Sequence, residues 1–306
     1  MRQEPISLVA GRRVPLAPAG DPAFVPLYDD RLRWRVMRAR WQVAVRDGLQ
    51  AHLAGPVERG LLAWWARRWP GAGRLERLGL PRRAVEARLG EALVLHVDPR
   101  QLIRSTDWRG YPHRERPSSN HFIWDGDWDL RRGDLRFSSR YRFISDLDEH
   151  RHDLRHSERF GALRDRLRDG RPWSSHQQGV MLDSDERILL YLKVYLSFLD
   201  DMAARGFDAS RGKDELGVAV SREGRLIKIN RGLHRLAMAQ RLGLPSVPVR
   251  VKAVHRDWWH DVTRGSEGGD ALDRLRHALQ ACRPETAPGA RDPMAYPEGF
   301  TWPRPR

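Results

Sequence analysis

Hydrophobic positions recur at helical spacing early in the chain. From about Asp30, the segment LRWRVMRARWQVAVRDGLQ sets Trp34, Met37, Trp41, Val45 and Leu49 three or four residues apart. Arg31, Arg35, Arg38 and Arg46 fall largely off that stripe, which predicts an amphipathic helix. Such stripes more often pack on their own domain than lie on a membrane or stack against nucleic acid, and packing is the expectation here. A second helix is predicted over VERGLLAWWARRW, with Val57, Leu61, Trp64 and Trp65 on its apolar face and Pro70 as its stop. ALVLHVDP reads as a strand ending at Pro99, residues 104–120 as polar and irregular, and HFIWDGDWDL as a short strand running into an acidic turn. A short helix follows over Ser157–Leu167, closed by Gly170 and Pro172. A longer one starts at Asp183 or Ser184, where Asp183 and Glu186 stand three apart like a capping box. Its stripe is Ile188, Leu192, Tyr195, Leu199 and Met202, and Gly206 is its stop.

Beyond Gly206 the period changes from helical to alternating. LGVAVSREGRLIKIN alternates about Glu223-Gly224 and predicts a β-hairpin, HRLAMAQRLGL a helix ending at Gly243, and VPVRVKAV a strand rich in β-branched residues. The tail from Arg283, with six prolines, is expected to be extended or disordered. No internal repeat is present.

Composition narrows the class. The chain has 306 residues, 40% hydrophobic and 31% charged, which suits a globular protein of about two domains. The single cysteine, Cys282, excludes an internal disulfide framework and any cysteine-rich zinc module. No stretch approaches the run of about 20 apolar residues that spans a bilayer, and no secretory leader is expected, so the sequence reads as cytoplasmic. The formal net charge of +15 raises the prior for anionic partners. Lys193, Lys213, Lys228 and Lys252 are the only lysines, however, and no uninterrupted basic block occurs, so the excess describes an anion-tolerant surface.

Candidate chemistry concentrates in Arg231-Gly232-Leu233-His234-Arg235. A glycine between a strand and a helix lets backbone approach a ligand closely, and the helix that follows presents N–H groups and a positive dipole end, which together make an anion site. Arg235 can add a forked contact to a phosphate, His234 can donate a hydrogen bond or move a proton, and Arg231 adds local charge. The bland alternative has Arg235 and His234 merely capping a βα unit. Glu215 and Lys213, before the first hairpin strand, are placed to serve across the pocket as base and phosphate neutraliser. His255-Arg256-Asp257-Trp258 follows the last strand and either closes the same pocket or forms an exposed loop.

Asp125-Gly-Asp127-Trp-Asp129 spaces three carboxylates two apart, so on an extended strand they share a face and could jointly hold Mg2+. Asp127 and Asp129 are the metal candidates. An EF-hand is excluded, because Arg136 stands where the bidentate Glu belongs. An acidic turn among arginines is also commonly a plain ion-pair network. His152 and His156 have zinc-protease spacing but lack the general-base Glu and a third ligand.

The order helix, strand, turn, strand, Gly-x-His-Arg, helix, Leu-Gly-Leu, strand resembles the ParB/sulfiredoxin superfamily. The resemblance covers about residues 184–255, through the helix around 184–204, the strands Gly217–Arg222 and Arg225–Asn230, Gly232-Leu-His-Arg235, Leu242-Gly-Leu244 and Val247-Pro-Val249. It implies an α+β protein with a mainly helical N-terminal half and a ParB/sulfiredoxin-like α/β domain toward the C-terminus. The implied layout is a helical Arg/Trp-rich region over 1–90, a mixed segment with the acidic turn over 91–182, the ParB/sulfiredoxin-like domain over 183–260 and a Pro-rich tail over 283–306. Leu233 occupies the position of the sulfiredoxin catalytic cysteine, and few residues follow Val254, so neither sulfiredoxin chemistry nor DNA partition is expected. What the resemblance leaves is a nucleotide with its phosphates on the glycine turn, and a nucleoside triphosphate that is hydrolysed or gives up its phosphoryl group. The alternatives are a DNA- or RNA-binding protein or nuclease, and a degenerate domain that binds a protein partner.

Overall fold

In a computed structural model, which describes residues 22–175, 178–210, 215–229, 231–292 and 299–305, helices dominate the first third and the last third carries the core of a sheet. The chain runs α1 (Arg33–Leu49), α2 (Gly55–Ala66), α3 (Ala72–Leu78), α4 (Arg82–Leu89), β1 (Val94–Val97), β2 (Arg104–Thr106), β3 (Ile123–Trp124) and β4 (Arg132–Asp134). It continues through α5 (Ser139–Glu149), α6 (Glu158–Arg168), β5 (Trp173–Ser175), β6 (Val180–Leu182) and α7 (Asp185–Arg205). The last elements are β7 (Gly217–Val220), β8 (Arg225–Lys228), α8 (Leu233–Leu242), β9 (Val247–His255), α9 (Arg256–Thr263), α10 (Gly269–Leu279) and β10 (Arg283–Pro284). The class is α+β, as expected.

Contacts divide the chain into two compact units that do not follow chain order. One is Met1–Leu49 with Phe143–Asp201, the other Gln50–Arg142 with Met202–Arg306. The blocks 1–90, 91–182 and 183–260 are therefore not the compact units. Most of α7, which the resemblance assigns to the same domain as the hairpin, belongs to the first unit.

In the first unit the apolar face of α7 supplies the core. Ile188, Leu192, Tyr191 and Val194 pack with Phe24, Leu27, Leu147, Phe160, Leu163, Val180 and Leu182. The start of α7 differs in detail from the expected cap. Ser184 Oγ accepts from Arg187 N at 3.3 Å, while Asp183 pairs with Arg31 and Arg187. Ser157 caps α6, accepting from Phe160 N. A two-stranded β5–β6 ribbon, too short to stand out as a pattern in the sequence, lies beside these helices.

α1 departs most from expectation. Its buried residue is Val36, at 1% exposure, whereas the stripe Trp34, Met37, Trp41, Val45 and Leu49 faces away from its own unit. Val36 lies close over Gly179, on roughly the opposite side of the helix from the stripe at 100° per residue. The smaller side therefore packs.

The second unit is built on an eight-stranded sheet in the order β1-β9-β7-β8-β2-β4, with β10 beside β8 and β3 beside β9. β7 and β8 form the expected antiparallel hairpin, and β9 returns parallel to β7. Gly224 takes φ 78° in the hairpin turn, and a Cβ there would meet Trp258 Nε1 at 2.8 Å. Leu226, Ile227, Val218, Val249 and Val251 are fully buried, as their β-branched and apolar pattern requires.

Two segments are more ordered than their composition suggests. Within 104–120, Arg104–Thr106 forms a strand whose Arg104 is buried against Asp134. In the Pro-rich tail, Arg283 and Pro284 pair with β8, and Glu285, 7% exposed, receives Arg132 Nη1 at 2.8 Å. Phe300 and Trp302 pack edge-on against each other and against Tyr141, and Arg100 Nη2 donates to Pro303 O at 2.7 Å. Aromatic contacts and a buried ion pair thus order a proline-rich segment that cannot form a helix. Residues 293–298 lie outside the described residues.

Candidate functional site

β8 delivers the glycine turn. Leu226, Ile227, Lys228 and Ile229 are all buried, which fixes the strand and leaves the turn at its end little choice of position. Arg231 and Gly232 follow with φ 67° and 69°, two left-handed residues in succession. Glycine adopts this conformation at little cost, whereas an arginine gives up about 1–2 kcal/mol, so the second of these positions suits glycine and the first is strained. Gly232 is the N-cap of α8 and contributes no side-chain cap. His234 and Arg235 lie in the first turn of α8, both partly exposed.

Lys228 supports this turn from inside. Its side chain is fully buried, and Nζ donates to the carbonyls of Ile229 and of Arg231, the latter at 2.6 Å. An ammonium therefore sits directly under the backbone that carries the two left-handed residues. Arg235 is held from outside. Its guanidinium lies 4.2 Å from the centre of the Phe207 ring, and Nη2 donates to Asp208 O. The arrangement combines a helix N-terminus, a buried amino group and a ring-stacked guanidinium within one turn, the chemistry of an anion cradle.

Glu215 lies at the start of β7, on the side of β9. It accepts from Arg250 Nε at 2.7 Å and from Lys252 Nζ at 2.6 Å. Burial raises its carboxyl, but the Lys252 and Arg250 cations outweigh this and hold it below the ordinary glutamate value. A carboxylate so paired is a weak base, and its partners lie across β7 from β8 and the Gly232 turn. Lys213 lies outside the described residues.

The acidic turn is at the other end of the hairpin. Residues 125–130 are turn, with Gly126 at φ 83°, so the three carboxylates do not share the face that an extended strand would give them. Asp129 is fully buried. It accepts from Arg222 N at 2.8 Å and from Arg222 Nη2 at 2.8 Å. Asp127 pairs with Arg222 at 3.2 Å and Arg291 at 2.6 Å, and Asp125 pairs with Arg256. The hydrogen bond from Arg222, with Arg291 beside it, holds the Asp127 carboxyl below the usual range. Guanidinium groups stand where a cation would bind, so this turn does not fit Mg2+, and among the described residues no group of three or more His, Cys, Asp or Glu side chains could hold a metal ion. Arg222 is in the hairpin turn and Gly232 lies past the other end of β8. Arg225 to Ile229 alone spans about 13 Å at roughly 3.3 Å per residue, so Asp127 and Asp129 form no common site with Gly232.

His255 joins the acidic turn rather than the glycine turn, because β9 runs parallel to β7 and ends beside the hairpin turn. Its Nδ1 accepts from Asp257 N at 3.1 Å, which leaves Nε2 as the protonated nitrogen, donating to Gly126 O at 2.9 Å. His156 and His152 do not share a helix face. The segment is a 3-10 turn at Leu154–His156, where His156 Nδ1 meets Asp153 at 2.8 Å.

Of the residues singled out in the sequence, Arg231, Gly232, His234 and Arg235 come together. Glu215, Asp127 and Asp129 do not join them. Lys228 was missed, although a lysine among LIKI, directly before a glycine turn, is the kind of inward charge that signals such a site. Phe207 and Asp208 carried no signal, since nothing local ties them to a helix 27 residues on. No family model matches the chain, nor does any curated protein or solved structure.

Proposed function

We propose that this protein binds a nucleotide by its phosphates at the turn Arg231-Gly232 and the N-terminus of α8. The observation that carries the reading is Lys228, a buried amino group that donates to the carbonyls of Ile229 and Arg231 directly beneath two left-handed residues. By holding these carbonyls from inside, Lys228 fixes the strained turn and adds positive charge beneath it, and a turn so fixed keeps the N–H groups at the start of α8 set for an anion. Phosphate oxygens would face the first turn of α8 with Arg235, steadied by Phe207, on their flank.

Within the same reading the nucleotide is a triphosphate, and the chain hydrolyses it or passes its phosphoryl group on. His234, in the first turn of α8, is the residue placed to move a proton there. Glu215 is committed to Arg250 and Lys252 and takes no part. Mg2+ belongs to this reading only as the ion that accompanies a nucleoside triphosphate, since the acidic turn does not hold one.

Phosphate release from ATP, CTP and GTP, measured with wild type and with His234→Ala, tests the catalytic half. The expected result is release from at least one nucleotide by wild type and a lower kcat at similar KM in the variant. Equal kcat in the two proteins would remove His234 from the chemistry. Binding without release in wild type would reduce the function to binding. Lys228→Met tests the cradle. It strands the carbonyl of Ile229, where the bond is buried, and that of Arg231, where it is partly buried, and should weaken both nucleotide binding and the fold, the latter by about 1–3 kcal/mol.

A further inference from the structure

The apolar stripe of α1 is unpartnered. Trp34 is 77% exposed, Met37 41%, Trp41 69%, Val45 40% and Leu49 55%. At 100° per residue these five positions fall within about 120° of one another on the helix, a contiguous strip and not scattered surface residues. The helix is anchored from elsewhere, by the buried Leu32 before it and by Val36 over Gly179.

Charge selects what covers this strip. α1 carries Arg33, Arg35, Arg38, Arg40 and Arg46 against Asp47 alone. At the same helical angles Arg38 falls inside the strip, Arg35 and Arg46 beyond one edge, and Arg33 and Arg40 beyond the other. A second copy of α1 would bring this positive charge against itself. Residues 1–21 hold Arg2, Arg12 and Arg13 against Glu4 and Asp21, and so carry no net negative charge to offset it. An anionic occupant is required. Single-stranded nucleic acid would stack on Trp34 and Trp41, but it has no use for Met37, Val45 and Leu49, whose aliphatic side chains gain most by leaving water for acyl chains.

We infer that α1 lies in the headgroup region of an anionic bilayer. Trp34 and Trp41 sit at the interface, Met37, Val45 and Leu49 reach the acyl boundary, and the exposed arginines Arg33, Arg35, Arg38 and Arg46 extend to lipid phosphates, while the guanidinium of Arg40 is turned into the protein. No described helix is long and apolar enough to cross a membrane, so this is surface attachment through one helix. The inference does not depend on the nucleotide reading, because it rests on α1 alone.

The test is co-sedimentation of the full chain with vesicles of phosphatidylcholine containing phosphatidylglycerol, and with vesicles of phosphatidylcholine alone. Three variants serve: Trp34→Ser/Trp41→Ser, Leu49→Ser and Arg35→Gln/Arg38→Gln. All these side chains are exposed, so circular dichroism and Tm should match wild type. Wild type should pellet with the anionic vesicles and not with the neutral ones. The tryptophan variant should lose binding, Leu49→Ser should bind more weakly, and the arginine variant should weaken about fivefold for each charge removed, with the difference from wild type shrinking at high salt. Vesicle binding that is the same in wild type and the tryptophan variant would overturn the proposal. So would tryptophan-dependent binding of a single-stranded oligonucleotide without vesicle binding, which would make the strip a nucleic-acid surface. A wild-type dimer that becomes monomeric in Trp34→Ser/Trp41→Ser would overturn it too, by assigning the strip to a second copy.

Discussion

Asp129 and Arg222 clamp the acidic turn onto the β7–β8 hairpin. Both oxygens of the buried carboxylate are used: Oδ2 accepts from the backbone N of Arg222 at 2.8 Å, and Oδ1 from its Nη2 at 2.8 Å. The guanidinium of this one arginine reaches both Asp129 and Asp127, tying together segments 93 and 95 residues apart in the chain. The acidic cluster is therefore part of what holds the second unit together.

Arg222→Ala leaves Asp129 buried without its cation and should destabilise the protein by about 3 kcal/mol or more. Asp127→Asn, at a half-exposed carboxylate, should cost no more than ~1 kcal/mol. Urea titration measures both. Mg2+ should shift Tm equally in wild type and Asp127→Asn, because neither turn offers the ion a site. An Mg2+ response lost in the variant would mean that the ion displaces Arg222 or Arg291.

Asp29 predicts a pH dependence. Hydrogen bonds from the Arg31 side chain lower its carboxyl to about 2, against 3.8 for an ordinary aspartate. The folded state thus prefers the ionised form. The resulting stability is complete above about pH 4 and disappears as pH falls through 2. The urea midpoint of wild type should fall between pH 4 and pH 2, and that fall should be shallower in Asp29→Asn. Identical acid limbs would show that the Arg31 pair persists in the unfolded chain.

Much of the second unit was legible because its signals are local. The alternation around Glu223-Gly224 and the apolar run after Pro245 each specify one strand, and Gly243 ends α8 in the left-handed conformation its sequence suggests. What was not legible depends on distant partners. Arg283–Pro284 became a strand only because β8 has an edge to fill, and Arg104 is buried only because Asp134 lies opposite it. The site divided for the same reason. Asp127 and Asp129 are close to Gly232 in function only if topology brings them together, and the order β9-β7-β8 puts the hairpin turn between them and the opposite end of the strand. The sequence shows that the stripe of α1 is apolar but not that it stays exposed, since periodicity gives a face and not its partner.

Cys282 should be unreactive in the native protein. It is 5% exposed, and burial pushes its thiol up to about 12, so thiolate is scarce at neutral pH. Iodoacetamide at pH 8 should label the chain only in urea, at a rate set by unfolding. Rapid labelling of the native protein would contradict the packing of Cys282 between α10 and β10.

The phosphate cradle is tested most directly by calorimetric titration of wild type, Arg235→Ala and Gly232→Ala with ATP, CTP and GTP in the presence of Mg2+. Wild type should bind at least one nucleotide. Arg235→Ala should keep its helix content and lose a charge-assisted contact, weakening binding about ten- to a hundredfold. Gly232→Ala, strained at φ 69°, should weaken it comparably by displacing the backbone of the turn. If wild type binds none of the three at about 1 mM, or if folded Arg235→Ala binds as tightly as wild type, the turn at Gly232 does not hold phosphate.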